Sequence, residues 1–147
     1  PFEDSDMRVA GRGFAKLRDA GIDPDPDLEL EGGFTLEGGT AAGHRLLDLS
    51  PRPTAVFCAS DEMAFGVLRA ARREGLRVPE DLSVIGVDGH PMAELFGLST
   101  LDQNVERQAE EAAGIAVRLI RGEPGTRSVR VRHRFVDRGS VRPPRGS

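Results

Sequence analysis

Two short apolar runs constrain this chain more than any other feature. Residues Thr54 to Cys58 (TAVFC) form one, bounded by Pro53 and Ser60, and Leu82 to Val87 (LSVIGV) form the other, ending at Asp88. A continuous apolar run of this length fits a strand buried on both faces of a parallel sheet. Between the runs, Ser60-Asp61 begins a helix whose apolar positions are Met63, Val67, Leu68 and Ala71, and Gly75 stops it.

The flanking sequence extends the alternation. Asp4-Ser5-Asp6 supplies capping oxygens for a helix over Met7–Ala20, stopped by Gly21. Pro24 and Pro26 impose a turn, and Leu28–Leu30 is short enough for a strand. Gly32-Gly33 and Gly38-Gly39 bracket Phe34 in a loop. A second helix carries Ala41, Ala42, Leu46 and Leu47 on one side and ends near Pro51. After Asp88 come a short helical piece, Pro91–Phe96, an extended Ser99–Asp102 and the longest helix, Asn104–Arg121. Val129–Val136 reads as a last strand. Strands alternating with helices predict an α/β fold with a mainly parallel sheet flanked by helices.

At 147 residues the chain is one domain, long enough to bury a core without disulfides or metals. Its 38% hydrophobic and 30% charged residues mark a globular chain rather than a disordered one. No apolar run approaches a membrane span and no signal peptide opens the chain. The single cysteine, Cys58, excludes an internal disulfide framework and a multi-thiol zinc site, and makes the cytoplasm the default compartment. The start at Pro1 and the end at Arg145-Gly146-Ser147 read as those of a fragment.

Charge is uneven. The overall net charge of -4 argues against general nucleic-acid affinity. Residues 1–37 carry ten acids against four bases, a net of -6, and residues 118–147 carry nine arginines against two acids, a net of +7. Arg130, Arg132 and Arg134 alternate with Val129, Val131, His133 and Phe135, which predicts a half-buried strand with a solvated arginine face rather than a nucleic-acid arm.

Ligands of parallel sheets bind beyond the carboxyl ends of the strands. Ser60-Asp61 and Asp88-Gly89-His90 stand at two such ends and point to a small-molecule crevice. Catalytic and metal signals are poor. His44, His90 and His133 have no ligand spacing, so no metal site is expected. Cys58 lies within an apolar run, where cysteine is usually inert, although a Cys58–His90 nucleophile pair stays open. Lys16, the only lysine, is a weak Schiff-base candidate. Asp61 and Asp88 can be read as an acid/base pair, or as a helix cap and a turn residue. No phosphate loop, nucleophile elbow or dinucleotide fingerprint is present, so no cofactor is expected.

The segment RPTAVFCASDEMAFG at 52–66 is similar to the pattern R-P-T-A-x-x-x-x-N-D-x-x-A-x-G, and 70–88 is similar to A-x-x-x-x-G-x-x-V-P-x-D-x-S-V-x-G-x-D. Arg138-Gly139-Ser140 resembles a closing R-x-S. These motifs resemble the lactose/galactose-repressor (LacI/GalR) family of bacterial transcription regulators, over nearly the whole chain but only the C-terminal part of a family member.

The resemblance implies a periplasmic-binding-protein-like lobe, residues 1–147 being the C-terminal lobe of an effector-binding domain. It implies a small polar effector such as a sugar, a homodimer, and DNA contact only through a helix-turn-helix that this chain lacks. The 104–121 helix would pack on a first lobe that is also absent. Carried over residue by residue, Arg8 and Asp88 resemble effector-contacting residues and Phe34 the aromatic that stacks on ligand. Ser60 stands where the family has asparagine, keeping one donor and acceptor but losing reach. Asp61 matches and is expected to be mainly structural. Arg12 replaces the family's aromatic, and 97–103 departs from P-x-L-T-T-V-x-Q. The alternative is a lobe of a solute-binding protein for transport, which shares the fold. An α/β enzyme using Asp61, Asp88 or Cys58 is the third reading, and the expectation is that the chain is not an enzyme.

Overall fold

The computed structural model describes residues 19, 21, 23, 25–124 and 128–143. The chain divides into two compact units, Pro1–Leu30 and Glu31–Ser147. In the first, Pro26–Leu28 forms a 3-10 turn, and the Asp25 carboxylate accepts the Asp27 N–H at 3.0 Å. The strand expected at Leu28–Leu30 is not formed. Pro26 has no N–H for a ladder and its fixed φ suits the first position of a tight turn. The helix expected over Met7–Ala20 lies outside the described residues, except for Asp19, which is helical.

The second unit holds the sheet. Its elements are helix α1 (Leu36–Leu47), strand β1 (Ala55–Phe57), helix α2 (Asp61–Arg73), strand β2 (Ser83–Asp88), short helix α3 (Met92–Leu95), strand β3 (Ser99–Asp102), helix α4 (Val105–Ile120) and strand β4 (Arg134–Val136). The strands lie in the order β1-β2-β3-β4. The first three are parallel and β4 runs antiparallel to β3. The expected α/β architecture, a mainly parallel sheet flanked by helices, is therefore what forms.

Local chemistry explains the helix starts. The Ser60 hydroxyl caps α2 by accepting the Met63 N–H at 3.2 Å, and Thr35 caps α1 by accepting the Gly38 N–H at 3.0 Å. Asp61 and Glu62 in the first turn of α2 and Arg72 and Arg73 in its last turn complement the helix dipole. Helices α1 and α2 touch backbone to backbone. A Cβ on Gly39 would lie 2.3 Å from the Met63 carbonyl oxygen, and one on Gly66 would lie 2.3 Å from that of Leu36. This crossing brings the start of α1 beside the start of α2.

The core gathers Leu46 and Leu47 of α1, Val56 and Cys58, the Ala64, Phe65, Val67, Ala70 and Ala71 face of α2, and Leu82, Val84 and Leu98. Burial of a side chain such as Leu82 or Leu98 contributes about 1.5–3 kcal/mol. The segment after β4 locks onto this core. The Ser140 hydroxyl donates to the Val84 carbonyl at 2.6 Å and accepts the Ser99 N–H at 2.8 Å. Asp137 accepts from the Ser99 hydroxyl, and the Arg138 guanidinium donates to the Leu98 carbonyl, both at 3.0 Å. The Arg138-Gly139-Ser140 motif is thus a clasp across β2 and β3.

Two strand readings are corrected. The run at 54–58 is not buried on both faces: Val56 and Cys58 face the core, but Phe57 is 60% exposed, because no element among the described residues packs over that face of β1. The strand expected over Val129–Val136 shrinks to three residues. β3 ends at Asp102, opposite Arg134, so the residues before Arg134 have no ladder to join. Arg130, Arg132 and Arg134 are exposed as expected, but on the alternate side only Val131 is partly covered while Val129, His133 and Phe135 are exposed, so the segment has no continuous half-buried face. Helix α4 forms as expected, with none of its residues buried.

Candidate functional site

The carboxyl ends of β2 and β3 bring a group of polar residues together. In their parallel register Asp88 stands beside Asp102. The backbone at Asp88 has φ 131 and that at Gly89 φ 77. A non-glycine residue held at positive φ costs about 1–3 kcal/mol and persists only where its surroundings over-determine it. Both oxygens of Asp88 are engaged: Oδ1 accepts from the Gln103 side-chain amide at 2.7 Å, and Oδ2 from the Asp61 N–H at 3.4 Å. Partial burial pushes the Asp88 carboxyl above its ordinary range, against the pull of those two hydrogen bonds.

Asp102 has the opposite environment. Its Oδ1 accepts the Asn104 N–H at 2.8 Å and its Oδ2 the Arg134 guanidinium at 3.0 Å, and these bonds hold its carboxyl below the usual range. Asp88, His90, Asp102, Asn104, Glu106 and Arg134 line an open cleft of about 560 Å³. Its carboxylates accept hydrogen bonds from hydroxyls, and the Arg134 guanidinium donates to oxygens.

Of the four residues expected to meet ligand, Asp88 lies on this cleft. Phe34 stands half-exposed at φ 55, in the turn that leads into α1, and Ser60 is buried with its hydroxyl committed to capping α2. Neither lines the cleft. Arg8 and Lys16 lie outside the described residues. Asp61, expected to be structural, is fully buried at the start of α2. Sequence reasoning did not find Asp102, Asn104 and Arg134. The signal for them is strand register, which the one-dimensional pattern of short strands does not carry.

The nucleophile reading of Cys58 and His90 fares poorly. Burial pushes the Cys58 thiol up to about 12, so thiolate is scarce near neutrality. The His90 Nδ1 accepts the Met92 N–H at 3.1 Å, and its ring sits edge-on to Phe65 with centroids 5.7 Å apart. Among the described residues no cluster of His, Cys, Asp and Glu is arranged to hold a metal ion, and no helix is long and apolar enough to cross a membrane.

A parallel α/β unit with polar groups gathered at its strand ends is the architecture of a ligand-binding lobe. Residues 3–141 match the family model of the periplasmic-binding-protein-like domain. The chain belongs to that family, and the relatives it matches include transcriptional repressors and LacI-family regulators. It is 40% identical over 134 residues to the HTH-type transcriptional repressor PurR of Photorhabdus laumondii, covering 88% of this chain and 39% of the relative. It is 41% identical over 129 residues to the HTH-type transcriptional repressor CytR of Escherichia coli K12, covering 86% and 38%. Among solved structures, a LacI-family regulator from Enterococcus faecium with bound ribose superposes with a TM-score of 0.73 at 32% identity, covering 79% of this chain and 44% of that one. The chain thus spans about two-fifths of the length of these curated relatives.

Proposed function

We propose that this chain is the effector-sensing and dimerisation portion of a bacterial LacI-type transcription regulator, and that it takes a small polar ligand such as a sugar at the carboxyl end of β2. The observation that carries this reading is Asp88: a half-buried carboxylate at a strand end, on an open cleft, in a turn of strained backbone. A polyhydroxyl ligand offers donors that such a carboxylate accepts. The bound ribose of the Enterococcus faecium regulator supports the ligand class. Arg8, Phe34 and Ser60 enter this reading through the family resemblance alone, since none of them is placed on the cleft.

The relatives' repressor character supports a non-enzymatic protein working in the cytoplasm, with operator contact made by a helix-turn-helix outside this chain. Helix α4 is the second element of the proposal. Its exposed Leu119 and Ile120 are covered in the working regulator, by the other lobe or by a second copy. A thermal-shift screen of D-ribose, other pentoses and hexoses tests the ligand class, because a ligand that binds only the native state raises the melting temperature. A rise with one of these sugars, lost in Asp88→Ala, is the expected result. No rise with any of them refutes the sugar reading.

A further inference from the structure

Asp61 contributes a fully buried carboxylate that the ligand reading leaves without a task. Its Oδ2 accepts the His90 N–H at 2.7 Å, and its Oδ1 accepts the Thr100 hydroxyl at 2.7 Å. The Thr100 oxygen in turn accepts the Gly89 N–H at 3.3 Å, and the Asp61 N–H donates to the Asp88 carboxylate at 3.4 Å. All three residues of the 88–90 turn are therefore tied to Asp61 at the start of α2: His90 directly and Gly89 through Thr100 to its carboxylate, and Asp88 to its backbone N–H. Asp88 has positive φ, a conformation that a residue with a side chain does not favour by itself.

Space for the tie is built into β2. A Cβ on Gly86 would fall 2.1 Å from Asp61 Oδ1, so the missing side chain admits the carboxylate. The chemistry also favours a carboxylate at this position. An ionised carboxylate only accepts, and both of its oxygens here meet donors. Asparagine would turn an NH₂ group toward one of those donors.

We propose that Asp61, acting with Thr100, is a positioning residue of the ligand site, locking the 88–90 turn in the shape that presents the Asp88 carboxylate to the cleft. The proposal rests on the reading of Asp88 as a ligand contact, but the lock can be measured without a ligand.

Amide hydrogen exchange on the chain and its variants is the test. In the wild type the Gly89 and His90 amides, which pair with side chains rather than with a neighbouring strand, exchange about as slowly as Val84 in the core. In Asp61→Asn both speed up relative to Val84 by roughly tenfold or more, the loss expected for hydrogen bonds to a charged group. Thr100→Val speeds up Gly89, and Thr100→Ser, which keeps the hydroxyl, restores it. Fast exchange at His90 in the wild type overturns the lock, as does an unchanged ratio in Asp61→Asn. Should Asp61→Asn fail to fold, the wild-type rates and the two Thr100 variants decide.

A D-ribose titration of the same proteins separates the two ideas. Protected amides without ribose binding leave the lock standing and count against the sugar reading. Ribose binding that Asp88→Ala abolishes, with unprotected amides, upholds the ligand reading and overturns the lock.

Discussion

Asp88 and Asp102 are register partners at the carboxyl edge of β2 and β3, and their surroundings drive their acidities apart. Burial raises the Asp88 carboxyl, whereas the Asn104 N–H and the Arg134 guanidinium lower that of Asp102. One edge therefore presents a carboxylate that ionises reluctantly beside one that stays charged.

Stability should register this difference. A carboxyl raised in the folded state contributes stability that is fully present below its unfolded value, about 3.9, and lost as pH rises through the folded value. Asp88→Asn carries no such charge. Thermal melts between about pH 3 and 6 should therefore show the wild type losing ground to Asp88→Asn as pH rises. A difference independent of pH would show that Asp88 titrates as an ordinary surface carboxyl.

The clasp after β4 makes a sharper stability prediction. Ser140→Ala removes the partner of the Ser99 N–H and a donor to the Val84 carbonyl, all buried. Leaving such a group unsatisfied costs about 1–3 kcal/mol. Urea unfolding should show a loss of that size, and a value within about 0.5 kcal/mol of wild type would refute the clasp.

Helix α4 predicts self-association. Leu119 is 60% and Ile120 84% exposed, as part of the apolar side that Ala109, Ala112 and Ala116 extend. Removing apolar area from water contributes roughly 25 cal/mol per Å². Light scattering across a concentration series should find dimers that Leu119→Glu and Ile120→Glu weaken. A monomer at every concentration, or a dimer indifferent to both charges, would exclude this helix as the contact.

The sequence carried the fold unevenly. Helices α2 and α4 and strands β2 and β3 were legible because apolar spacing, and for α2 the Ser60 cap, are local signals. Helix α1 was legible only in part: Gly38-Gly39, expected in a loop, lie inside it, because they pack against Gly32 and Met63 and Thr35 caps the helix before them. The errors lie where tertiary neighbours decide. An apolar run does not reveal that one face of β1 is left uncovered, and alternation at 129–136 cannot show that β3 ends opposite Arg134. Asp88 was legible as the end of an apolar strand. The roles of Asp102, Arg134 and Thr100 were not, because each depends on register or on a bond across more than thirty positions, as from Thr100 to Asp61 or Arg134 to Asp102.

Contact between Asp88 and a polyhydroxyl ligand is measured directly by calorimetric titration of D-ribose, together with whichever sugar raises the melting temperature most. Saturable binding to the wild type that weakens about tenfold or more in Asp88→Ala is expected, the loss associated with a hydrogen bond to a charged group. Equal affinity in the wild type and in Asp88→Ala would contradict that contact.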